Sequence, residues 1–87
     1  MRDGNPAEAR MAAKVSAVTI TWNSADEISG CIDSLVADGI DPGEITVVDN
    51  ASTDGTPELV AGRWPGVRLI QNAENVGFAA AANQGIA

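Results

Sequence analysis

The sequence predicts an α/β fold, a parallel sheet flanked by helices in the order βαβαβα. Three observations carry that expectation. Short runs of valine, isoleucine and threonine recur near residues 15–21, 44–48 and 67–70. Segments with helical spacing or a helical start follow each run, and clusters of glycine, proline, asparagine and aspartate separate them. Strands alternating with helices over about seventy residues form βαβ units, whose crossovers place helices against a parallel sheet.

Taken in order, VSAVTIT at 15–21 is the first strand, because β-branched side chains suit a pleated, half-buried surface. The segment SADE follows, in which Ser24 and Glu27 have the spacing of a capping box. Ile28, Cys31, Ile32, Leu35 and Val36 then repeat at i, i+3, i+4, i+7 and i+8, the spacing of one helical face. A helix is therefore expected over 25–38, with Cys31 as a small buried apolar residue. Gly39 and Asp41-Pro42-Gly43 end it. EITVV at 44–48 reads as the second strand. Thr56 and Pro57 open a helix that runs to Arg63, since proline in the first turn loses no needed hydrogen bond. Trp64-Pro65-Gly66 stops it, VRLI at 67–70 is the third strand, and a last helix starts near residue 78. Residues 1–14 lack this patterning and are expected to be a flexible tail, leaving 15–87 as one unit.

Bulk composition narrows the function classes. Eighty-seven residues allow at most one small domain. Twelve acids against five bases give a net charge of −7, which argues against nucleic acid and anionic membrane surfaces, whose phosphates attract lysine and arginine. A single cysteine allows no internal disulfide, and the absence of histidine removes the usual zinc patterns. No apolar run is long enough to cross a bilayer, and the start MRDGNPAEAR lacks a signal peptide's apolar segment. A cytoplasmic location is the expectation.

In open parallel sheets ligands bind beyond the carboxyl ends of the strands. The informative residues are then Thr21-Trp22-Asn23, Asp49 to Gly55 and Gln71 to Gly77. None of these loops carries a glycine-rich phosphate cradle. NASTDG has the alternating donors of a calcium loop in Asn50, Ser52 and Asp54, but Ala61 stands where the bidentate glutamate belongs. A phosphate-accepting aspartate would need further acids from the first strand, which ends in Thr21-Trp22-Asn23. A carboxylate at a strand tip can instead accept a hydrogen bond from a ring N–H, such as the imide of uracil or thymine. Trp22 offers a flat face beside such a base. Asp49 as a turn former bonding its own backbone is the competing reading, as is Asp54 as a helix cap.

VSAVTITWN, ITVVDNASTDGT and IQNAENVGFAAAANQGI, in this order and spacing, resemble the N-terminal part of family 2 glycosyltransferases. The likeness covers residues 15–87 and is strongest to the rhamnosyltransferase-like subgroup. It implies the GT-A fold, a Rossmann-like sheet that binds a nucleoside diphosphate sugar of the uridine or thymidine type, here incomplete at the C-terminus. It also implies sugar transfer to an acceptor, usually by one inverting displacement. By this resemblance Thr21, Trp22 and Asn23 line the nucleotide pocket, with tryptophan replacing the commoner tyrosine, and Asp49 reads the base. Asn50, Ser52 and Asp54 complete the signature loop, whose role is partly to shape that pocket, while Asn75, Gly77 and Asn83 close over the nucleotide. Asn75 also has the bland role of capping the last helix, and Asn83 that of a solvated helical side chain.

The family's Asp-x-Asp metal motif and its general base lie beyond the residues matched, so the resemblance assigns no catalytic or metal-binding residue to this chain. A divalent ion, magnesium or manganese, is expected in the full-length enzyme only, and the cytoplasmic face of the membrane is a further location open to that enzyme. The alternative from another class is a non-catalytic nucleotide-binding or chain-pairing module, associating through an exposed sheet edge.

Overall fold

The computed structural model describes residues 16–86. The expected tail over residues 1–14 lies outside them. The chain runs β1 (Ala17–Thr21), α1 (Ala25–Ala37), a 3-10 turn (Pro42–Glu44), β2 (Ile45–Asn50), α2 (Thr56–Arg63), β3 (Arg68–Asn72) and α3 (Phe78–Ile86). The three strands form one parallel sheet in the order β1-β2-β3. This is the expected α/β, Rossmann-like arrangement.

The stop after α1 acts through specific contacts. Gly39 takes φ of 93°, donating its amide to Val36 while Ile40 donates to Leu35. That is a Schellman ending, which needs the left-handed residue glycine supplies. Asp41 then accepts from the Gly43 amide at 2.9 Å and starts the 3-10 turn.

Alternate residues of the central strand β2 point to opposite faces. Ile45 and Val47 meet Ile28 and Ile32 of α1, Val60 of α2, and Val67, forming the main core. On the other face, α3 lies over β1 and β2, and so closely that a methyl group on Gly85 would overlap Val18 and come within 3.3 Å of Val48. Thus α1 and α2 share one face and α3 occupies the other. Having left β3, the chain crosses back toward β1.

Two expectations need correction. Cys31 is exposed rather than buried, and Val36 is 40% exposed. Only Ile28 and Ile32 of α1 are fully covered, with Leu35 partly covered. The reason is that β1 is an edge strand among the described residues, so α1 has sheet beneath only the middle of its apolar face. Cys31 overhangs the edge, 3.8 Å from the Thr19 hydroxyl, beside a groove shared with Thr21, Glu27 and Ile28.

The second correction concerns the start of α1. Ser24 caps nothing with its side chain. Its hydroxyl turns back to the Trp22 backbone, and the Glu27 amide is taken by the Ser24 carbonyl.

Candidate functional site

The register sets Thr21 opposite Asp49 and Asp49 opposite Gln71, so the expected residues end in one row. Strands β2 and β3 extend two residues beyond their β-branched runs, which brings Asp49, Asn50, Gln71 and Asn72 into the ladder. Asp49 and Asn50 are therefore side-by-side on the strand yet face opposite sides of the sheet. Each organises its own cluster.

On the α1/α2 side, Asp49 is 2% exposed. Its Oδ1 accepts from the Thr21 hydroxyl at 2.7 Å and the Ser52 hydroxyl at 2.6 Å. Its Oδ2 accepts from the Ser52 amide at 2.9 Å. The turn-forming role weighed from the sequence is thus present in the structure. A carboxylate offers roughly four lone-pair positions, and three donors leave one, on Oδ2.

The same side interlocks the first two loops. The Asn23 amide donates to Ser52 Oγ at 2.8 Å, and the Thr53 amide donates to Asn23 Oδ1 at 2.8 Å. Asn23 reaches this geometry with φ of 50°, which asparagine tolerates better than most residues. Ala51, at φ of 63°, has no such excuse, and its strained conformation lets both Ser52 donors turn toward Asp49. Trp22 stands 59% exposed at the rim.

Asp54 supplies the cap that Ser24 does not. Its Oδ2 accepts from the Ala25 amide, the first of α1, at 3.0 Å. Its Oδ1 accepts from the amide and the hydroxyl of Thr56, the first residue of α2. The Thr56 hydroxyl oxygen accepts in turn from the Ser24 amide at 3.1 Å. Asp54 therefore sits at the positive N-terminal ends of two helices. Donation by the Thr56 hydroxyl, then by the Ala25 amide, holds its carboxyl below the ordinary value of 3.8, against a smaller opposing effect of burial.

On the α3 side the chemistry is amide rather than carboxylate. Asn50 Oδ1 accepts from Asn72 Nδ2 at 3.0 Å and from the Val76 amide at 3.4 Å, while its Nδ2 donates to the Gly77 carbonyl at 3.4 Å. Asn72 and Gln84 pair reciprocally at 2.8 and 2.9 Å, fastening α3 to the end of β3. Asn75 accepts from the Gly77 amide at 2.8 Å and closes the turn before α3. Gly77, at φ of 85°, starts that helix by accepting from Ala81 with its carbonyl. Asn83 is exposed on α3 and joins none of these bonds.

The structure thus gathers Thr21, Asn23, Asp49, Ser52 and Asp54 in one network and Asn50, Asn75 and Gly77 in another, with Trp22 at the rim. Sequence reasoning missed Gln84, read Thr56 only as a helix start and covered Asn72 only as part of the 71–77 loop. Among the described residues no group of three or more acids or cysteines gathers to hold a metal. Asp54 is held by three N–H and O–H donors and Asp49 keeps a single acceptor position, so these residues do not fit the divalent ion, which the resemblance expects in the full-length enzyme only.

Comparison with known proteins adds independent findings. The family model described as Glycosyl transferase family 2 matches residues 16–87. An N-acetylglucosaminyl-diphospho-decaprenol L-rhamnosyltransferase of Mycobacterium tuberculosis is 34% identical over 70 residues, 80% of this chain and 23% of that protein. The succinoglycan biosynthesis protein ExoO of Rhizobium meliloti is 41% identical over 83 residues, 94% of this chain and 24% of its own length. The uncharacterized glycosyltransferase YibD of Escherichia coli is 33% identical over 76 residues, 84% and 22% of the two chains. This chain therefore spans about a quarter of the curated relatives it matches. No solved structure shows a significant match. With its three strand ends and their loops inside the matched segment, this chain belongs to glycosyl transferase family 2.

Proposed function

We propose that residues 16–86 form the donor-nucleotide part of a sugar transferase. The ligand is a nucleoside diphosphate sugar of the uridine or thymidine type. The observation that carries this reading is Asp49, a carboxylate at the end of the central strand with one acceptor position left on Oδ2. That oxygen accepts the imide N–H of the base, and Trp22 supplies a face for the ring. In a longer protein the acceptor oxygen would bond to the anomeric carbon with inversion as the bond to the diphosphate breaks, the hydroxyl proton passing to a general base outside the matched residues. Such an enzyme works in the cytoplasm or at the cytoplasmic face of the membrane. The 87-residue chain alone binds the nucleotide and does not transfer sugar.

Calorimetry with uridine and thymidine diphosphates, with and without manganese, tests the reading. Metal-independent binding that Asp49→Ala removes, with the helical circular dichroism retained, supports it. Sugar transfer by the purified 87-residue chain, abolished by Asp49→Ala, would sink the claim that this part only binds.

A second reading is pairing of chains through a sheet edge, favoured by β1 and β3, which are edge strands among the described residues. Sedimentation separates the two. Concentration-dependent association without nucleotide binding favours the pairing module.

A further inference from the structure

We infer that Asp54 is a positioning residue, whose bridge between the starts of α1 and α2 holds the Trp22-Asn23 loop against Asp49 in a preformed pocket. The inference rests on the nucleotide reading for what the pocket takes, but its structural content stands separately. Helix α1 begins directly after Trp22-Asn23-Ser24 and has no side-chain cap of its own. The nearest acceptor for its first amide comes from a loop almost thirty residues away, through Asp54 Oδ2. The other oxygen of the same carboxylate is tied to Thr56. One planar group thereby fixes the distance between two helix starts.

That distance matters because the pocket residues hang from both loops. Asn23 meets Ser52 and Thr53, and Ser52 in turn meets Asp49. If Ala25 is released from Asp54, the remaining links between the loops run through Asn23 and through the Ser24 amide on Thr56. Trp22, exposed and without a side-chain partner among the hydrogen bonds of this region, then loses its fixed orientation relative to Asp49. A loosened pocket has to be ordered by the ligand, which weakens binding without removing any ligand contact.

The chemistry of the bridge makes it separable from simple stability. Asparagine has one acceptor oxygen, so Asp54→Asn can serve Thr56 or Ala25 but not both, and its amide repels the other N–H. The full chain is prepared in a Trp64→Phe background so that Trp22 is the sole tryptophan. Asp54→Asn is compared with Asp33→Asn, which removes the same charge from an exposed ion pair with Arg63 that lies away from the strand-end network. The readouts are Trp22 anisotropy, hydrogen exchange at the Ala25 and Thr53 amides, and binding of uridine and thymidine diphosphates. Asp54→Asn lowers the anisotropy, speeds exchange at both amides and weakens binding by about tenfold, the scale of one lost hydrogen bond to a charged group. Asp33→Asn changes none of these.

Unchanged anisotropy and exchange in Asp54→Asn overturn the inference, as do equal changes in Asp33→Asn. A loosened Trp22 with unaltered nucleotide affinity overturns it too. If the parent chain binds neither diphosphate, the nucleotide reading fails, while the anisotropy and exchange still decide whether Asp54 positions the loop. Should Asp54→Asn fail to fold, Thr56→Val removes the hydroxyl link at constant shape, and the same signs apply.

Discussion

The two faces of the sheet are built from different materials. Beneath α1 and α2 lie branched aliphatic side chains, with Ile28, Ile32, Ile45, Val47 and Val60 all but fully buried. Beneath α3, Val18 and Val48 meet a helix of small residues that approaches closely at Gly85, and the amides of Asn50, Asn72 and Gln84 add to that contact. Helix α3 even leaves Phe78 and Ile86 more than 70% exposed. The first face supplies most of the stability, since apolar burial scales with area and small residues have little to bury. The second fixes a geometry with few atoms. The same division continues at the strand ends, where Asp49 serves the first face and Asn50 the second.

The comparison breaks most visibly at Ile32. Truncating it to alanine in the aliphatic face costs about 2–5 kcal/mol, as for other buried isoleucines, and chemical denaturation measures it. On a small domain that approaches the whole stability. On the α3 face Gly85→Ala forces a methyl into Val18, and overpacking of about 1–3 kcal/mol outweighs the roughly 1 kcal/mol gained in helix propensity. A Gly85→Ala chain more stable than the parent would show that α3 is less closely seated than described. The amides come next. Asn72→Ala and Gln84→Ala each cost about 1 kcal/mol, and the double variant costs less than their sum because each single change strands the other's partner. Strict additivity would disprove the reciprocal pair.

The smallest effect is electrostatic and confined to acid. Asp54 is held below its ordinary value, so the folded chain binds fewer protons there than the unfolded chain. Its contribution is complete above about pH 4, and is lost as pH falls through the lowered value. Asp54→Asn should flatten that limb of a stability–pH curve while leaving neutral pH with only the cost of the lost bridge. An identical acid limb in the variant would contradict the assignment.

Much of the fold was legible in the sequence because the residues that form each strand also prefer it. Val47 and Val48 mark β2 unaided, and the Gly39 stop works through local bonds alone. What remained hidden depends on distant neighbours. Asp49 and Asn50 have weak strand preference, yet they stay in the ladder because β2 has a partner on each side. Ser24 and Glu27 look like a local capping box, but the loop around Asp54 supplies the cap from across the sheet. Cys31 fits the apolar spacing of α1, and the position of β1 at the sheet edge among the described residues leaves it exposed. At the site, the strand-tip position of Asp49 and the turn position of Asn75 before α3 were readable from turn chemistry. The pairing of Asn72 with Gln84 was not, since glutamine on a short helix is ordinary.

The alternation along β2 also sets where this chain can change length. Inserting or deleting one residue within 45–48 would reverse the directions of both Asp49 and Asn50, turning the carboxylate toward the α3 face and the amide toward the α1/α2 face. The segment from Asp38 to Glu44 carries no such parity, because it is a surface connection ended by a turn. Homologous chains should therefore vary in length before Ile45 and hold it constant from there to Thr56.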